Sequence, residues 1–129
     1  MASIRKEIRT SQKPEAVWDA LADIGALHTR LVPGFVVDTR LEPGARVVTF
    51  GNGMVVREPI VSVDHGERRV VWSAEAEMLR HYNASAQVVP DGDGSRVIWI
   101  ADLLPDEAAP SVEGMMEQGM AAMKRALDG

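Results

Sequence analysis

The chain has 129 residues, 46% of them apolar and 26% charged, with a formal charge of −5 and no cysteine. That length suits one domain around one core, and the composition is that of a globular chain rather than a disordered one. The acidic balance, with no basic cluster denser than Arg68 and Arg69, argues against nucleic acid as a partner, and the lack of cysteine excludes disulfides, thiolate metal sites and cysteine nucleophiles.

In chain order, residues 3–9 place Ile4 and Ile8 among polar residues and read as a half-buried strand. Lys6 shares the isoleucine face, its stem expected to snorkel to the rim. Pro14 and Glu15 fit the first turn of a helix over 14–24, where Ala16, Val17, Ala20, Leu21 and Ile24 recur at helical spacing. Gly25 ends that helix, and a second short one is predicted over 26–31, stopped by Pro33 and Gly34. Six strands follow at 35–41, 46–50, 54–64, 68–76, 80–89 and 96–103. The breaks between them, such as Gly51-Asn52-Gly53 and Asp91-Gly92-Asp93-Gly94, are turn sequences, so the strands form an antiparallel meander. After Pro105, with Asp106 as the predicted N-cap, comes a helix of about 20 residues, roughly 30 Å long. Val112, Met115, Met116, Gly119, Met120, Met123 and Leu127 make its apolar stripe, opposite Glu113, Glu117, Gln118, Lys124 and Arg125. Residues 1–129 form a single domain without linker or repeat. No apolar run nears the roughly 20 residues that span a bilayer, so no stable membrane insertion is expected. Residues 1–20 are too charged for a signal-peptide core, and the resulting expectation is cytoplasmic.

Strand alternation assigns the inner face. Tyr82, Ala84, Ala86 and Val88 are apolar against His81, Asn83, Ser85 and Gln87, and point inward. The preceding strand turns Val70, Trp72, Ala74 and Ala76 inward; in 96–103 polarity decides less between the two faces, and Val97, Trp99, Ala101 and Leu103 are taken as the inner set. A wall that sets Trp72, Trp99 and Tyr82 among alanines leaves space that one helix does not obviously fill, and methionine suits the lining of a variable void. The competing expectation is that the methionine stripe packs the gap shut.

The order strand, two short helices, six strands, long helix resembles the helix-grip superfamily of START domains, Bet v 1-like proteins and bacterial polyketide cyclase/dehydrases. The carriers are Pro14-Glu15-Ala16-Val17-Trp18, Leu31-Val32-Pro33-Gly34-Phe35, the run Arg57 to Asp64, Arg80-His81-Tyr82, and Gly94 to Trp99. The resemblance implies an α+β helix-grip fold: a seven-stranded curved antiparallel sheet whose concave face is covered by the C-terminal helix. Between Val56 and Ala84 the chain is similar to the plant abscisic-acid receptors, in which the positions matching Glu58, Trp72 and Tyr82 line the hormone pocket. It departs from them at the gate loop, here Gly51-Asn52-Gly53-Met54, and at the latch, here Met78-Leu79-Arg80, so hormone-gated phosphatase inhibition is not implied.

Glu58 lies on the inner wall by alternation with Met54 and Val56, and a carboxylate there has its pKa raised unless a cation meets it. It either orients a ligand or serves as a general acid/base, or it is a rim carboxylate paired with Lys6 or Arg30; Arg57 points the other way. Tyr82 either anchors a ligand oxygen or satisfies a backbone carbonyl. Trp72 and Trp99 are wall or plain core. His28, His65 and His81 are scattered, so neither a metal site nor a cofactor is expected, and no nucleophile elbow or phosphate loop is present. The expected ligand-binding set is Val56, Glu58, Trp72, Ala74, Tyr82, Ala84, Trp99, Met116, Met120 and Met123. The leading expectation is a protein that binds or carries a small hydrophobic or amphipathic molecule. A cyclase, aromatase or dehydratase using Glu58 and Tyr82 comes second, and an interaction module with a filled core third. Strand 35–41 is the candidate surface for a homodimer.

Overall fold

The computed structural model describes all 129 residues. A first strand, β1 (Ala2–Thr10), leads into α1 (Pro14–Ala22) and a single π-helical turn, α2 (Leu27–Leu31). Six strands follow: β2 (Val36–Glu42), β3 (Ala45–Phe50), β4 (Val55–Asp64), β5 (Arg69–Ser73), β6 (His81–Asp91) and β7 (Gly94–Leu104). The chain closes with α3 (Ala109–Asp128). All strand pairs are antiparallel in one sheet ordered β1-β7-β6-β5-β4-β3-β2, so the first strand is brought round to pair with the last. This is the expected α+β helix-grip arrangement, with β1 and β2 as its edges. No helix is long and apolar enough to cross a membrane.

The register confirms which residues share the inner face. Trp72 pairs with Ala84, Ala84 with Ala101, Ala86 with Trp99 and Val88 with Val97. The small members are sealed, Ala84, Ala86 and Ala101 each being 2% exposed or less. Each tryptophan thus lies across from an alanine, which gives the ring room over the sheet and lets large and small residues interlock.

Helix α3 buries Val112, Met116, Gly119, Met120, Met123 and Leu127, each full-sized apolar side chain contributing about 1.5–3 kcal/mol. Its polar side is fastened to β1. Lys6 Nζ lies 3.0 Å from both Glu113 and Glu117, Lys124 Nζ donates to the Arg9 carbonyl at 2.7 Å, and Thr10 Oγ1 donates to Asp128 at 2.7 Å. Lys124 and Thr10 together hold the Asp128 carboxyl below its ordinary pKa. Gly119 lets the helix approach the sheet: a methyl group there would lie 2.9 Å from the Trp99 ring and 3.0 Å from Phe35.

Three expectations are corrected. Asp106 is not the N-cap: Asp106–Ala108 forms a separate 3₁₀ turn and α3 begins at Ala109 with no side-chain cap. Pro110 in the first turn of α3 leaves one N–H fewer to cap. The fifth strand stops at Ser73 rather than residue 76. Pro59 offers no N–H to the ladder; β4 pairs with β5 only from Ile60 onward, and beyond the gap a lone bridge joins Arg57 to Glu75. The α1 helix ends at Ala22, short of Ile24.

Gly94 closes the β6–β7 turn against the end of β1, where a Cβ would sit 2.2 Å from the Thr10 carbonyl oxygen and 3.0 Å from Ser11 Cα. Backbone atoms cannot swing aside, so Gly94→Ala should cost about 2 kcal/mol, read as a lower urea midpoint at constant slope. An unchanged midpoint contradicts this close approach.

Candidate functional site

Between the sheet and α3 lies a cavity of about 110 Å³. This is somewhat less than the roughly 150 Å³ of an engineered apolar cavity that stays dry and takes up benzene. Of its 25 lining residues 23 are apolar or aromatic, and the other two are Arg46 and Glu58. The inner positions of β3 and β4 supply those two, because Arg46 alternates with Val48 and Phe50 along β3 and faces Glu58 directly across the ladder. Among the lining residues Met78 is 43% exposed. It lies in the β5–β6 connection, which with Met54 after the β3–β4 turn marks the mouth.

The Arg46–Glu58 pair is the electrostatic centre of the cavity. Arg46 Nε donates to Glu58 Oε1 at 2.8 Å, and the residues are 4% and 8% exposed. The guanidinium also lies over the Trp72 ring, 5.2 Å from its centroid, and its Nη1 donates to the Ile24 carbonyl at 3.4 Å. No further protein donor reaches the carboxylate. Burial pushes the Glu58 carboxyl above its ordinary pKa, while the charge and hydrogen bond of Arg46 pull against that rise. Both expected rim partners are engaged elsewhere. Lys6 is held by Glu113 and Glu117, and Arg30 by Asp19 at 2.6 Å and Asp23 at 3.0 Å. Arg57 does point away, to Glu42 and Glu75.

Tyr82 lines the same cavity. Burial is the first cause of its raised phenol pKa and the charge of Glu58 the second, with the Trp99 indole N–H and Arg46 opposing. The phenol is therefore a hydrogen-bond donor throughout the physiological range, and no backbone carbonyl takes its proton. Trp99 Nε1 is buried and has no hydrogen-bond partner, although its N–H opposes the rise of the Tyr82 pKa. Trp72 and Trp99 lie 6.2 Å apart at 45°.

Of the residues expected around the cavity, the fold gathers Val56, Glu58, Trp72, Ala74, Tyr82, Trp99, Met116 and Met123. It does not bring Ala84 or Met120 there. Ala84, between Trp72 and Ala101, is 1% exposed and packed into the core. Met120, 4% exposed, belongs to the buried core and is not among the residues that line the cavity. Arg46 is the residue that reading the sequence missed. Its signals were alternation with Val48 and Phe50 and its place opposite Glu58 across the Gly51-Asn52-Gly53 turn.

The sequence matches the family described as polyketide cyclase / dehydrase and lipid transport over residues 1–128. No curated protein matches it. Among solved structures it is similar to the protein XoxI of Bacillus cereus, with a TM-score of 0.88, 20% identity, and coverage of 98% of this chain and 96% of that one. A START superfamily protein of Mycobacterium smegmatis superposes with a TM-score of 0.72 at 12% identity, covering 98% and 94%. The di-domain ARO/CYC BexL of the BE-7585A biosynthetic pathway gives 0.82 at 15% identity, covering 98% of this chain and 46% of that one. At these identities the neighbours establish the fold.

Breaking the buried pair tests its electrostatics. Arg46→Met should cost about 3–5 kcal/mol at neutral pH, because it strands a buried carboxylate, whereas Arg46→Met with Glu58→Leu should fall within about 1 kcal/mol of the native chain or above it. Without Arg46, burial alone acts on Glu58 and its folded-state pKa rises further. The single variant is then nearest native stability in acid, where Glu58 is protonated in both states, and loses stability as pH rises through that pKa. Urea unfolding from pH 4 to 8 reads this directly, and a pH-independent loss contradicts it.

Proposed function

The chain belongs to the polyketide cyclase / dehydrase and lipid transport family, and from that premise we propose that it binds one small, predominantly apolar molecule in the cavity beneath α3. The observation that carries the reading is a void walled by apolar side chains except for one buried, charge-compensated pair. Such a wall gains from apolar contact and uses few polar groups to orient its guest. The volume suits a guest of about one ring, and Met54, Met78, Met115 and Met116 around it adapt to shape at low cost. Glu58 and Tyr82 serve as the polar anchors.

The family description spans catalysis and transport alike, and a second reading has its own support: a carboxyl and a phenol, both with raised pKa, line one cavity. There Glu58 would exchange protons with an enolisable or dehydrating substrate. Binding ranks first because Glu58 is engaged by Arg46 and the Tyr82 phenol is moved away from the neutral range. Glu58→Gln separates the two, since it abolishes turnover and spares binding in the catalytic case. A filled-core interaction module does not agree with a void of about 110 Å³.

Met116 is 1% exposed and lines the cavity, so an indole there occupies the guest's space. In titrations with p-cresol followed by ligand-observed NMR, Met116→Trp should weaken binding at least tenfold while far-UV circular dichroism stays native. Equal binding by the folded variant contradicts an internal site.

A further inference from the structure

Trp99 Nε1 is the one buried side-chain polar atom in the chain without a hydrogen-bond partner. Such atoms are uncommon in folded proteins because an unpaired buried donor keeps its full desolvation penalty. This one belongs to a residue of the cavity wall, and Gly119 is the residue that admits its ring so close to α3. The indole N–H is near enough to the Tyr82 phenol to oppose its pKa rise. The phenol O–H has no protein acceptor, and the indole N–H makes no hydrogen bond to the phenol oxygen or to any other group. Both groups leave a donor unspent, and the phenol oxygen keeps lone pairs free to accept. The fixed charges of the wall, Arg46 and Glu58, compensate each other, so nothing there calls for an ionic guest.

We infer that Trp99 and Tyr82 form a two-donor arm that selects neutral guests with a carbonyl-type acceptor oxygen over hydrocarbons of the same shape. This rests on the cavity-binding reading above and names the chemical class of its guest. A carbonyl oxygen takes the Tyr82 O–H; the phenol oxygen, polarised by that bond, becomes the better acceptor for the Trp99 N–H. Trp99 is then a positioning residue that acts through Tyr82, and the indole donor left unpaired in the empty protein is satisfied only when a guest is bound.

The test compares acetophenone with α-methylstyrene, which replaces the carbonyl oxygen by a methylene of the same shape, on the native chain, Tyr82→Phe and Trp99→Phe, with dissociation constants from NMR titration. Differences in the guests' own hydration cancel when each is compared across proteins. Tyr82→Phe should weaken acetophenone about tenfold and leave α-methylstyrene within about twofold, and Trp99→Phe, which also reshapes the wall for both guests, should lower the preference for acetophenone over α-methylstyrene several-fold. The Trp99 indole proton resonance should move downfield with acetophenone and stay in place with the hydrocarbon. Equal losses for both guests mean that the rings act by packing alone and overturn the inference, as does an acetophenone affinity indifferent to Tyr82→Phe, which removes one atom and keeps the ring. If neither guest binds the native chain, the cavity-binding reading itself fails and the inference with it.

Discussion

A guanidinium and a carboxylate 2.8 Å apart inside an apolar wall are the constraint on which the rest of this protein's chemistry depends. Taking two ions out of water costs several kcal/mol each, recovered only if geometry and secondary contacts are good. Here the β3–β4 register sets Arg46 opposite Glu58, the Trp72 face receives the guanidinium, and the Ile24 carbonyl accepts from it. One side chain thereby ties the β3–β4 hairpin, β5 and the segment after α1 around the same point. Buried ion pairs commonly contribute little to stability compared with an apolar replacement. This one does fix where the cavity wall is charged, without giving it net charge.

The void follows from the pattern of sizes around that pair. Large rings on β5 and β7 stand across from alanines on β6, and Gly119 lets α3 come down on Trp99 and Phe35. The helix is thus close to the Trp99 ring, while its Met115, Met116 and Met123 border the cavity. Ion pairs from β1 to Glu113 and Glu117, with the contacts of Lys124 and Thr10, hold α3 along its edge.

Much of this was legible in the sequence because it depends on periodicity. Alternation in β5, β6 and β7 identified the inner face, and the 3.6-residue stripe of α3 identified its partner surface. What escaped was set by register and by depth. Arg46 looks solvent-facing by residue type, and its alternation with Val48 and Phe50 and its place opposite Glu58 show why it is inside. The early end of β5 reflects a proline on the neighbouring strand, which a strand read in isolation does not reveal. Ala84 and Met120 have the right facing but the wrong neighbours: alternation tells which side a residue points to, not whether that side meets a void or another side chain. Trp99 was read as wall or core, and its unpaired N–H is a property of three-dimensional packing with no counterpart in the sequence.

The account stands or falls on real empty volume beside the Arg46–Glu58 pair, and crystallography under xenon pressure tests it most directly, since xenon enters dry apolar cavities. The account predicts a xenon peak enclosed by Trp72, Tyr82 and Met116, with the pair intact next to it. An interior without xenon, in which methionine side chains fill the space between those residues, would contradict it.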